Sequence, residues 1–386
     1  MASVVPGQEN STLQQDGAQP TRELPLAPVP QNRITSHSNL ERDIHMRYWA
    51  EQALLGRTLT RVGGDILVEP PIELDDPKTS PPWSGALPET LSRVSLFTET
   101  SKMVAPSFSL PVGPLNLGGS CPGSSGAMTT SQPEEYERQS KFALEVIQET
   151  NPDFDVPEAF LPEDGVCQNC YVSKGNHAAY WGNNLRIVIR YAWTRAAVAR
   201  GTFAADIIEA LDATRFVKEP PAIAALGQRY FRIHDAGDFF SRKYLAAWWE
   251  VARAFDGSDP RRPRTIFWAP TRIWAARGGN EMVYDVNGGD RFLDNFVIRP
   301  SGYVLNLPGP DFEIGPATGY ASPTTVCRPE FTDAVVAGDE PHIFDWRCPA
   351  QESKEGTCAS SPNPEGTQGC RVCWVMPGVR VNYDLH

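Results

Sequence analysis

The chain has no apolar run of the about 18 residues that a membrane-spanning helix requires. It also has too little positive charge to hold nucleic acid mainly through phosphates. Its 35 Lys and Arg stand against 47 Asp and Glu, a net charge of -12. Residues Met1 to Asn10 have neither a basic start nor an apolar stretch, so no secretory address is expected. These absences predict a soluble intracellular protein without a membrane partner. Thiols stay reduced in such a compartment, and the eight cysteines then read better as metal ligands than as disulfides.

What the chain does have is unevenly spread. Between Arg186 and Arg299 there are 18 Lys and Arg against 13 Asp and Glu, so the middle is mildly basic and permits an anionic substrate. The first hundred residues are rich in Pro, Gln, Ser and Thr, which predicts a largely disordered, mobile leader over 1–100. Within it a helix is expected over about 40–55, a short strand pair turning at Gly63-Gly64, and a linker over 75–88. A catalytic α/β domain is expected over 101–345 and a Cys-rich metal segment over 346–386. The length of 386 residues is ample for a buried core.

In the expected domain, strands at 230–233, 265–269 and 296–299 alternate with helices at 177–200, 203–218 and 241–255. This alternation implies parallel pairing with crossover helices, and ligands bind at the carboxyl ends of such strands. Further short strands are expected at 303–305 and 324–326.

Three groups of residues carry possible chemistry. Cys167 and Cys170, two residues apart, suit zinc, a redox couple or a corner of an iron–sulfur cluster. Cys121 lies 46 positions upstream, and with it the pair would make a three-thiolate set with an open position. Its alternative is a buried small hydrophobe, and Cys327 is a rival third ligand. Cys348, Cys358, Cys370 and Cys373 fall within 26 residues and suit a structural zinc site or a second cluster. The third group, His234-Asp235-Ala236-Gly237-Asp238, ends an apolar strand. It offers an imidazole able to titrate near neutrality and carboxylates able to take an ammonium group, or else a helix cap. Thr271 and Arg272 end the next strand and suit a carboxylate or phosphate, and Arg299 and Ser301 repeat the pattern one strand later.

The motifs SKM-x-x-PSFSLP, CPG, C-x-x-CY-x-x-KGN, RIHDAGDFFS-x-x-YL, FWAPTR, SGY and CPA…C…GC-x-x-CW occur in an order that resembles the bacteriophage "gene product 88" family, over roughly 100–375. That family is in turn similar to divergent radical S-adenosylmethionine enzymes. The resemblance implies a partial parallel (βα) barrel with Cys121, Cys167 and Cys170 on a [4Fe–4S] cluster and S-adenosylmethionine on its fourth iron. Gly237, Asp238 and Thr271 would bind that cofactor, and His234, Asp235 and Arg272 would act in catalysis. A 5′-deoxyadenosyl radical, made with an electron donor, would isomerise a substrate in the cytoplasm of the infected host cell. An amino-acid adduct on thymidine, formed during phage DNA modification, is one such substrate. Two other functions are carried with it: a zinc-stabilised binding protein, and a zinc-dependent nuclease or hydrolase using His234, Asp235 and Asp238.

Overall fold

A computed structural model describes residues 47, 50–73, 90–99, 105–115, 118–124, 133–159, 164–167, 170, 181–214, 228–313, 317–350, 358 and 370–385. Its centre is a five-stranded sheet in the order β4 (Thr98–Glu99), β5 (Pro106–Phe108), β6 (Gln228–Ile233), β7 (Arg264–Thr271) and β8 (Phe296–Pro300). The β4–β5 pair is antiparallel, whereas β5 through β8 are all parallel and follow one another in both sequence and space. Parallel neighbours need a crossover, and helices supply it. Pro133–Thr150 (α1), Trp181–Arg200 (α2) and Phe203–Ala213 (α3) lie between β5 and β6 in the chain. Arg242–Ala254 (α4) joins β6 to β7, and Gly279–Asn287 (α5) joins β7 to β8.

Alternation along the strands decides which side chain goes to which layer. Phe231, Phe267 and Ile298 enter the main core, where Trp248 of α4 and Phe203 of α3 meet them. Tyr230, Ile266, Trp268 and Val297 form a second apolar layer, which Trp374 covers. Trp374 comes from the short helix Val372–Val375 (α7). Through Trp374, described residues of the segment after 345 are thus packed on the sheet. Its strands Trp346–Arg347 (β10) and Val381–Asp384 (β11) pair in parallel with Thr324–Cys327 (β9), in the order β10-β11-β9. The strand expected at 324–326 therefore exists, but in this second sheet. Residues 303–305 make only a single bridge, Gly165 to Val304, in place of the strand expected there. The last helix, Pro329–Ala337 (α6), packs beside β9 through Val335.

The expected leader also contains folded chain. Thr58–Val62 (β1), Asp65–Glu73 (β2) and Thr90–Ser95 (β3) form an antiparallel sheet whose Ile66, Val68, Ile72, Leu91 and Val94 enter the main core. Alternating apolar residues within a polar, proline-rich region are enough to make one buried sheet face. Residue 47 and residues 50–54 are helical, within the helix expected over 40–55. The rest of that helix, the leader before it and the linker at 75–88 lie outside the described residues. All described residues belong to one compact unit, Ser38–His386. Among them no helix is long and apolar enough to cross a membrane.

Trp248 is fully buried and meets Phe108, Phe203, Phe231, Tyr244 and Phe267. The variant Trp248→Ala leaves a large cavity and is expected to lose about 3–5 kcal/mol of stability in chemical denaturation.

Candidate functional site

The strand ends carry the polar residues, and backbone geometry explains how. At the exit of β6, His234 adopts a positive φ of 63° and Gly237 one of 89°. The chain turns back so tightly that a Cβ on Gly237 would stand 2.5 Å from Ser120 Oγ and 2.7 Å from Leu110 Cβ. Glycine is needed here for close approach to its own chain.

Asp238 sits at the middle of the arrangement. It is buried, and its Oδ1 accepts from Thr271 Oγ1 at 2.5 Å and from the Phe239 amide at 2.7 Å. Oδ2 accepts from the Arg272 amide at 2.8 Å, and the Asp238 amide donates to Ser120 Oγ at 3.1 Å. One carboxylate thus ties the exit of β6 to that of β7. Arg272 Nε continues the chain of contacts to the exit of β8, donating to the Gly302 carbonyl at 2.7 Å.

The turn Cys121-Pro122-Gly123 is docked on the same ends. A Cβ on Gly123 would collide with the Arg272 carbonyl oxygen. Gln139 of α1 donates from Nε2 to the Pro122 carbonyl at 3.1 Å and to that of Ala275 at 3.3 Å. The helix that separates Cys121 from the cysteine pair therefore also pins Cys121 to the strand ends. The pair arrives from the other side: the Val166 amide donates to Tyr303 O at 2.9 Å, and Cys167 packs with Trp274 and Tyr303. Cys170 follows in a turn and packs, like Cys121, on Val112 and Ala236.

The structure thus brings Cys121, Cys167 and Cys170 together around Asp238 and Arg272. Burial pushes the Cys121 thiol well above its ordinary range, and Asp238, Cys167 and Cys170 push it further. Cys167 is pushed up to about 11 by burial and by Cys170 and Asp238, against the pull of Arg272. Among the described residues, however, no three Cys, His, Asp or Glu side chains already surround a common point as metal ligands. Neutral thiols have no attraction to hold them at such a point, and only their shared neighbourhood is set by the fold. Their number and softness suit a three-thiolate hold on an iron–sulfur cluster.

The remaining predicted residues are placed differently. His234 is a wall residue: its Nε2 lies 3.0 Å from Tyr244 Oη and its ring stands edge-on to Phe239 at 4.6 Å. Burial, with Arg232 nearby, holds it down at about 3, so the titration expected near neutrality does not occur. Asp235 accepts from Arg232 Nη1 at 3.0 Å. Thr271 orients Asp238. Arg299 does not face the strand ends at all. Its guanidinium is turned to the C-terminal segment and donates to carbonyls there, since a β-strand sends residue 299 to the opposite face from Ile298. Cys327 packs with Val335, Ile343 and Phe344, and burial pushes it up to about 12. Cys348, Cys358, Cys370 and Cys373 gather around Trp374 and Tyr383. Ser120, Gln139 and Trp274 were not singled out from sequence. Ser120 and Trp274 lie next to the CPG and FWAPTR motifs, whereas Gln139, within α1, had no such signal.

Fold and site together define a mixed α/β protein with three thiols and a buried carboxylate at the carboxyl ends of a four-strand parallel sheet. The family model described as "Gene product 88" matches residues 86–376, and the chain belongs to this bacteriophage family. No curated protein and no solved structure matches it.

Burial raises Asp238 from 3.8 to about 6, outweighing the donors Thr271, Arg272 and Phe239. The folded chain therefore binds this proton more tightly than the unfolded chain. The resulting penalty is absent below 3.8 and complete above about 6. Relative to Asp238→Asn, the wild-type chain is expected to gain roughly 3 kcal/mol of unfolding free energy as pH falls from about 7 to about 3. Denaturation curves of both proteins across that range check the sign and the window.

Proposed function

We propose that this protein is a radical S-adenosylmethionine enzyme. The observation that carries the reading is that Cys121 and the distant Cys167 and Cys170 lie in one neighbourhood with Asp238, at the ends of consecutive parallel strands. Cys121, Cys167 and Cys170 would hold a [4Fe–4S] cluster. With S-adenosylmethionine and an external electron donor, such a cluster supplies a 5′-deoxyadenosyl radical able to remove an unactivated hydrogen. The chain's own part is to bind, orient and shield. Asp238 has both oxygens fixed by protein donors, which leaves its remaining lone pairs directed and its charge available to an ammonium group. Arg272 brings a guanidinium whose charge already favours the thiolate of Cys167 and would answer a carboxylate. His234, neutral and locked between Tyr244 and Phe239, keeps water from behind the site and moves no proton at neutral pH.

The strands β5 to β8, added in one direction, are consistent with a portion of a (βα) barrel. Phage membership favours a modified nucleotide as substrate, and isomerisation of an amino-acid adduct on thymidine in the infected cell's cytoplasm is the reaction we favour. The hydrolase reading loses support, because His234, Asp235 and Asp238 are each engaged with different protein partners. A zinc-stabilised binding protein is the rival that the strand-end thiols would also suit.

The protein is to be purified and reconstituted with iron and sulfide without oxygen. It is expected to turn brown and, with dithionite, to release 5′-deoxyadenosine from S-adenosylmethionine. Cys121→Ala, Cys167→Ala and Cys170→Ala should each abolish release. Asp238→Asn should weaken S-adenosylmethionine binding by about tenfold or more, through loss of a charged hydrogen bond. A colourless protein that carries zinc at the strand ends and forms no product would overturn the assignment.

A further inference from the structure

Two of the C-terminal thiols share one wall of the protein. Cys358 and Cys373, 15 positions apart, are both half-buried, and both pack against the cluster that contains Tyr230, Trp268 and Trp374. Cys348 and Cys370 pack instead on the cluster of Val372 and Val381, and Cys370 is buried there. Printed on the backbone is the reason that Cys358 comes so close. Arg371 Nη1 donates to the carbonyl of Cys358 at 3.1 Å and to that of Cys370 at 2.6 Å, so the two carbonyls stand across a single atom. The Trp374 and Val375 amides donate to the Arg371 carbonyl at 2.9 and 3.0 Å, which winds Cys373 back over the same turn. Burial pushes the Cys358 thiol up to about 12, and the next push comes from Cys373.

Of the two, Cys373 has the surroundings of a nucleophile. Its Sγ lies 2.9 Å from Tyr383 Oη, and Arg299 Nε donates to its carbonyl at 3.1 Å. Arg299 is 0% exposed, and its other four hydrogen bonds also go to carbonyls, those of Ser322, Val372, Met376 and Val379. Among the described residues no carboxylate pairs with it. A buried cation without an opposing charge is strongly unfavourable, and a thiolate on Cys373 relieves that state. Burial pushes the Cys373 thiol up, while Arg299 and the Tyr383 hydroxyl pull it back. A partly open thiol beside a fixed cation is the kind that reacts with oxidants.

We propose that Cys373 and Cys358 are a redox couple, which hydrogen peroxide oxidises to a disulfide and a thiol reductant reopens. The Cys373 sulfur attacks one peroxide oxygen: an S–O bond forms, the O–O bond breaks, and the other oxygen leaves as water with the thiol's proton. The Cys358 sulfur then attacks the sulfenic sulfur of Cys373. The S–S bond forms, and the hydroxyl leaves as a second water with the proton of Cys358. Two thiols lose two electrons, and one hydrogen peroxide becomes two waters. The disulfide ties the Cys358 stretch to the turn that seats Trp374 on β6 and β7. This inference does not depend on the radical reading, since it concerns different cysteines and a different reaction.

Full-length protein is to be treated with hydrogen peroxide, its remaining thiols alkylated, and its peptides analysed by mass spectrometry. Cleavage after Glu355, Glu365, Arg371 and Arg380 puts Cys358, Cys370 and Cys373 in the separate peptides 356–365, 366–371 and 372–380. Wild type is expected to yield 356–365 joined to 372–380, and dithiothreitol should separate them. The oxidised protein should also need more denaturant to unfold than the reduced one. In Cys358→Ser, dimedone should label Cys373 as its sulfenic acid. The joined peptides are read on wild type, so the test stands even where a variant fails to fold. Folded wild type that yields no such pair after peroxide, as when a metal ion occupies these thiols, would overturn the couple. A link from 372–380 to 366–371 in its place would overturn it as well. Dimedone on Cys358 in Cys373→Ser, with none on Cys373 in Cys358→Ser, would overturn the attacking role of Cys373.

Discussion

The carboxylate of Asp238 holds the carboxyl ends of β6 and β7 together. Parallel strands are joined along their length by backbone hydrogen bonds, but beyond the last pair their exits are free to splay. Here one buried group accepts from Thr271, Arg272 and Phe239, and its own amide reaches Ser120. The exits of β6 and β7 and the turn before Cys121 are thereby fixed to one another. Burial makes this ionised group costly, and the three donors only partly offset the cost. A carboxylate kept at such expense in the mouth of a sheet is a feature of functional sites more often than of scaffolds.

Around that node, absent side chains matter as much as present ones. Gly237 lets the β6 exit press against Ser120 and Leu110, and Gly123 lets the Cys121 turn lie on the Arg272 carbonyl. A methyl group at either place would separate the segments that bring the thiols into one neighbourhood. The aromatic core under them, from Phe108 through Trp248 to Phe267, supplies a rigid floor. His234 belongs to this floor, with its ring held by Phe239 and Tyr244.

The two faces of the sheet have different partners. One face takes the helices and the β1–β3 sheet, whose apolar residues were hidden in a region of leader-like composition. The other takes the C-terminal segment, seated by Trp374 and anchored by Arg299. From sequence Arg299 looked equivalent to Arg272, since both stand near the carboxyl end of a strand. The pleat separates them: Arg272 has left its strand and turns to Gly302, whereas Arg299 is still within β8 and points to the far face.

Local pattern was sufficient to reveal the alternating strands and helices, the polar strand ends, and two groups of cysteines separated along the chain, because periodicity and spacing are properties of neighbouring residues. It was insufficient for whatever depends on distant segments meeting. The docking of Cys121 through Gly123 and Gln139, the burial that keeps His234 neutral, the engagement of Cys327 in a separate core and the facing of Arg299 toward the carbonyls of the C-terminal segment were decided by tertiary structure alone. Solvation and close contact are set by which surfaces face one another, and no single stretch of sequence specifies both surfaces.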